Sequence, residues 1–118
     1  MITGVHAIIY SKQAEAVRTF FRDTLRRSSV DAGQGWLIFA LPPAELGIHP
    51  TDDEEKHELY LMCDDLEATV KELAARGVTA GEISDQSWGR VTMITIADDV
   101  RLGLYQPRHP TALHLAGR

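Results

Sequence analysis

The 118-residue chain contains a single cysteine, Cys63. No intrachain disulfide can therefore hold the fold, and stability does not depend on an oxidising compartment. Cys63 stands in an apolar run and reads as a buried structural thiol, because a reactive thiolate needs a partly exposed electropositive site. There is no basic excess: 12 Lys and Arg stand against 17 Asp and Glu, a formal net charge of −5. This excludes the broad cationic face that displaces counterions from nucleic acid, and it offers no hold on an anionic membrane surface. It is mildly compatible with a cationic ligand. No apolar run reaches the length of a membrane span. Residues 1–6 lack the basic and long apolar stretches of a secretion signal, so a cytoplasmic protein is expected. A glycine-rich phosphate loop, a G-x-S-x-G elbow and paired CxxC motifs are all missing, and no nucleotide cofactor is expected.

What is present is an ordinary globular composition, 44% hydrophobic and 25% charged, at a length that suits one domain. Residues 5–10 are apolar and rich in β-formers, which predicts a strand. Over 13–27, Val17, Phe20, Phe21, Thr24 and Leu25 recur at helical spacing on one face. Residues 31–35 form a glycine-containing turn, 36–41 a strand that stops at Pro42 and Pro43, and 46–49 a short strand. A polar stretch, 51–56, follows, and then the order repeats. Residues 57–63 predict a strand. Asp65 opens a helix that runs to about Arg76, and Gly77 caps it. Residues 78–83 predict a short strand and 84–89 a turn-rich loop holding Trp88. Two further strands, 91–96 and 102–105, flank the Asp98-Asp99 turn, and 108–118 read as a tail in which His109 and His114 are expected to be either tag-like and disordered or surface residues.

The repeat organises the chain. Aligning His6 with Glu58 brings Ile8 onto Tyr60, Glu15 onto Glu67 and Phe21 onto Leu73. At the end of each half, Leu46-Gly47-Ile48-His49 matches Leu102-Gly103-Leu104-Tyr105. Each half is thus strand, helix and about three strands, giving one α+β domain of two βαβββ modules, 5–50 and 57–107. Neither half can bury its sheet alone, so the two must pack together.

Three pieces carry a family resemblance: Val5-His6-Ala7-Ile8-Ile9-Tyr10 before a helix with Phe20-Phe21; Leu59-Tyr60-Leu61-Met62-Cys63-Asp64-Asp65-Leu66 before Leu73, Arg76 and Gly77; and Asp85-Gln86-Ser87-Trp88-Gly89-Arg90 before Arg101-Leu102-Gly103-Leu104-Tyr105-Gln106-Pro107. In this order the chain resembles the vicinal oxygen chelate superfamily of glyoxalases, extradiol dioxygenases, and fosfomycin- and bleomycin-resistance proteins. The resemblance implies paired βαβββ modules whose curved sheets make a cupped site, and a homodimer. It also implies a divalent metal held by side chains from the first and last strand of each module. His6 and Glu58 fall on the two first-strand positions, with His57 next to Glu58. The closing-strand glutamates of the family fall on Gly47 and Gly103, which bring no donor.

A substitute metal set is His6, His49 and Glu58, since His49 shares a strand face with Gly47. Two imidazoles and a carboxylate suit Fe, Mn or Zn. Trp36, Gly47, Tyr60, Trp88 and Gly103 are the candidate pocket residues, with Trp88 as a lid, and Tyr105 is the candidate catalytic hydroxyl. Two functions follow. One is a divalent-metal-dependent dioxygenase, lyase or isomerase acting on a small oxygenated or aromatic substrate. The other is a metal-free dimer that sequesters a drug or metabolite, its cup widened by the two glycines and walled by aromatics. A ligand-free regulatory domain is a third reading, since fold does not dictate chemistry.

Overall fold

The structure is a computed structural model and describes residues 7–47, 52–55, 57–111 and 113. The first helix, α1 (Ala14–Thr19), runs directly into a widened π turn, Phe20–Thr24, closed by Leu25 N–H donating to Phe20 O at 3.0 Å. The predicted helix over 13–27 is thus shorter and changes pitch at its second half. Both adjacent phenylalanines end up buried, edge to face at 5.3 Å, and Phe21 also meets Phe39 at 5.6 Å. A π turn departs from the 3.6-residue repeat, which is why periodicity alone overruns it.

A hairpin follows, β1 (Ser29–Asp31) antiparallel to β2 (Leu37–Phe39). Its turn is held by Asp31 Oδ1, which accepts from Gly33 N–H at 2.7 Å and Gly35 N–H at 3.3 Å. Residues 7–10 and 46–47, expected as strands, form no ladder; the rest of those two predicted strands lies outside the described residues.

The second half carries the main sheet. Its strands are β3 (Tyr60–Met62), β4 (Thr79–Ala80), β5 (Ser84–Gln86), β6 (Gly89–Ala97) and β7 (Val100–Pro107), in order β3-β7-β6-β4 with β5 also on β6. Only the β3–β7 pair is parallel. The predicted loop around Trp88 is in fact a tight hairpin between β5 and β6, and only Ser87 and Trp88 turn.

Helix α2 (Leu66–Ala75) begins and ends as its sequence dictates. Asp65 caps it by accepting from Ala68 N–H at 3.1 Å. At the other end Gly77, at φ 84°, donates to Ala74 O, and Val78 N–H reaches back to Leu73 O. That is a Schellman closure, and buried Val78 and Leu73 supply its apolar contact.

Both helices cover one face of the main sheet. Val17, Phe20 and Phe21 from the first helical segment, and Leu66 and Leu73 from α2, pack with Ile94, Leu102 and Leu104 of the sheet. The cross-strand pairs Ile94–Leu102 and Thr92–Leu104 form the sheet's side of this core. Thr92 is buried yet satisfied, its hydroxyl donating to Gly81 O at 2.9 Å. Arg76 ties the halves, donating to Thr24 O at 2.6 Å.

Candidate ligand-binding site

Strand alternation sends the intervening residues of β3, β6 and β7 to the face away from the helices. Register then lines them up in rows. Tyr60, Gly103 and Met93 form one row, and Met62, Tyr105 and Val91 the next. On the first row the missing side chain of Gly103 is replaced by a neighbour's ring. A Cβ at position 103 would overlap the edge of the Tyr60 ring and stand 3.0 Å from its Cγ. The same device recurs at Gly89, where a Cβ would strike the ring of Tyr105 and stand 2.7 Å from Gln106 O.

The two tyrosines begin an aromatic wall. Their ring centroids are 6.0 Å apart, and Tyr105 meets Trp88 at 5.6 Å on its other side. The Tyr105 hydroxyl donates to Trp88 O at 3.1 Å. His109 from the end of the chain lies against Tyr105 at 5.7 Å and 32°, with its Nε2 3.7 Å from Glu45 Oε2. The residues just after β7 are therefore docked: Arg108 N–H donates to Trp88 O, and its guanidinium contacts Gln86 O and Asp85.

Beside this wall is a cavity of about 300 Å³. Ile8, Ile9, Leu59 and Met93 give it apolar sides, and Tyr60 and Gly103 lie between them. Two charged residues also line it, Glu58 just before β3 and Arg101 in β7, each two residues ahead of the Tyr60–Gly103 pair. Burial first, then the negative charge of Glu58 and a hydrogen bond to it, push the Tyr60 phenol above its ordinary value of 10.0. Burial and Glu45 push the Tyr105 phenol in the same direction. The Cys63 thiol is also pushed up, chiefly by burial, and it points at Tyr105 O at 3.7 Å. That suits an inert structural cysteine.

The structure gathers Glu58, Tyr60 and Gly103 at one cavity, with Tyr105 and Trp88 adjoining through ring contacts. Trp36 stands apart at the hairpin turn, 67% exposed, and Gly47 is exposed with no atom within 4 Å of where its Cβ would be. Neither lines this cavity. His6 and His49 lie outside the described residues, as does His114. Sequence reasoning missed Arg101 and Met93, although the i, i+2 alternation with Gly103 and Tyr105 marks Arg101 for the same face. It also missed Glu45 and His109, which only tertiary packing brings to Tyr105. A second cavity of about 320 Å³, between α1 and β4 and β6, holds none of the predicted residues.

Two of the four chelating positions that the resemblance implies carry no donor, and His6 and His49 lie outside the described residues. Gly47 and Gly103 have no donor atom, and the Tyr60 ring covers the second of them. Among the described residues no three His, Cys, Asp or Glu side chains converge as metal ligands.

No protein-family model matches the chain, and no curated protein matches it. Among solved structures it is similar to TnmS3, an antibiotic binding protein from Streptomyces sp. CB03234. The TM-score is 0.65 at 26% identity, over 90% of this chain and 97% of that one. It is also similar in fold to SMU.1112c, with a TM-score of 0.58 at 12% identity over 90% of this chain and all of the other. The fold is glyoxalase-like. It is a small α+β arrangement with open, mixed sheets, as the resemblance implies. Among the described residues no helix is long and apolar enough to cross a membrane. Chemically, the sheet's open face offers flat aromatic surfaces, a flexible thioether in Met93 and two charged side chains around one hollow.

Proposed function

We propose that this chain is a metal-free small-molecule binder of the vicinal oxygen chelate superfamily, which sequesters a compact aromatic, antibiotic-like compound as a homodimer. The observation that carries this reading is the Tyr60 ring lying over Gly103. At a position where metal-using relatives present a carboxylate, this chain presents an aromatic surface. Such a surface stacks on a planar ligand and gives a metal nothing to bind. Trp88, 47% exposed, and Tyr105 extend it. Similarity to an antibiotic binding protein over nearly the full length of both chains supports the same function class. The second copy completes the cup by covering the open face, where Ile8 and Met93 are exposed.

The test is calorimetric titration with a panel of compact aromatic antibiotics of one or two fused rings, with and without a chelator, beside elemental analysis of the native protein. Saturable binding at one site per chain, unchanged by the chelator and without stoichiometric metal, is expected. Binding abolished by the chelator and restored by iron, manganese or zinc would overturn the metal-free reading. Light scattering during size-exclusion chromatography should return twice the chain mass of 13.1 kDa.

A further inference from the structure

We propose that the ligand bears an anionic oxygen group, a carboxylate on an apolar aromatic frame, and that Arg101 is the residue that recognises it. The inference rests on the pocket reading above and names the chemistry that the pocket selects.

Arg101 is the one cation lining either cavity among the described residues. The other arginines near the second half are engaged. Arg90 bonds to Glu67, Arg108 to Asp85 and Gln86 O, and Arg76 to Thr24 O. The Arg101 side chain makes no hydrogen bond or ion pair among the described residues. Glu58 lies just before β3, also two residues ahead of the Tyr60–Gly103 pair, yet it forms no bridge to Arg101 and accepts from the Tyr60 hydroxyl. The hollow therefore has one carboxylate with a hydrogen bond already made and one exposed guanidinium whose five donors are bonded by no described residue. A guanidinium fork matches a carboxylate in geometry and charge.

The rest of the lining sets the frame. The walls are aliphatic and thioether, and the Tyr60 ring offers a flat surface beside them. About 300 Å³ is at the small end of ligand pockets, which suits one or two fused rings. The net charge of −5 opposes an anion, but that field acts from exposed groups and is screened over about 8–10 Å in physiological salt. Arg101 is itself exposed, so its pairing is screened as well, and what the fork adds is the geometry of a bidentate, charge-assisted hydrogen bond made at contact.

Calorimetry with three probes of one shape decides the matter: 2-naphthoate, 2-naphthamide and 2-naphthylmethylammonium, each titrated into the full chain. Naphthoate is expected to bind about tenfold tighter than the amide, with the cation weakest. Arg101→Gln should bring naphthoate down to the level of the amide and leave amide binding unchanged. Glu58→Gln, which removes the neighbouring negative charge, should tighten naphthoate, weaken the ammonium probe and leave the amide unchanged. Equal binding of naphthoate and amide to the native protein, or a preference unchanged in Arg101→Gln, would overturn the assignment and leave the pocket reading standing. If none of the three binds, both fail together.

Discussion

The ring of Tyr60 lies across Gly103 on the neighbouring parallel strand, filling the space that any side chain at position 103 would need. An aromatic neighbour shielding a strand glycine restores the packing that the glycine gives up. It also fixes the orientation of the tyrosine, so one contact both completes the sheet and builds the ligand surface.

Gly103→Ala is expected to destabilise the protein by about 1–3 kcal/mol, because the ring must shift off its strand. Tyr60→Ala removes the obstacle, so the double variant should be more stable than the sum of the single changes requires. Urea unfolding of the four proteins measures this coupling. Additive effects would mean that the ring and the glycine act independently.

The tyrosine hydroxyls give stability a defined alkaline limit. Tyr60 and Tyr105 both release their protons above the ordinary value of 10.0 in the folded chain. A raised folded value means that their contribution is complete below 10 and is lost as pH rises through the folded values. Thermal unfolding followed from neutral pH to strongly alkaline pH should show a falling Tm above 10. The fall should be shallower in Tyr60→Phe. Glu58→Gln should bring the Tyr60 phenol closer to its ordinary value, as read from tyrosinate absorbance.

Tyr105→Phe removes the hydroxyl that donates to Trp88 O while keeping the ring over Gly89. Trp88 O still accepts from Arg108 N–H, so the expected cost is small, about 0.5–1 kcal/mol. Tyr105→Ala strips the ring from Gly89, Trp88 and Tyr60 together and should cost several times as much. Chemical denaturation separates the two, and a similar cost for both would place the energy in the hydroxyl instead of the ring.

Cys63 should react slowly with a thiol reagent in the native protein and quickly once urea unfolds it. Burial pushes its thiol up and leaves little thiolate near neutral pH. Fast native labelling would mark it as a reactive site.

The floor of the hollow rests on a core whose most enclosed side chains are Leu66 and Ile94, both 0% exposed. Leu66→Ala or Ile94→Ala should cost about 2–5 kcal/mol. Loss of ligand binding should track unfolding in these variants, in contrast to Arg101→Gln.

Much of this architecture is legible in the chain itself. The start and end of α2 follow from Asp65 and Gly77, whose chemistry is local. The faces of β6 and β7 follow from alternation, which puts Ile94, Leu102 and Leu104 on one side and Gly103 and Tyr105 on the other. The first half was less readable. The π turn at Phe20 breaks the helical period, and residues 7–10, apolar enough for a strand, form no ladder.

The sequence by itself determined the elements of the second half and the residue types available to a pocket, because caps, turns and alternation act within a few residues. Only the tertiary structure decided that Tyr60 covers Gly103, that Arg101 and Glu58 line one hollow without pairing, and that Trp36 stands outside it. Those facts depend on the register between strands distant in the chain. No turn joins β3 to β7, so which of their residues face each other depends on burying the apolar pattern of both in one core, and reading either segment alone does not show it.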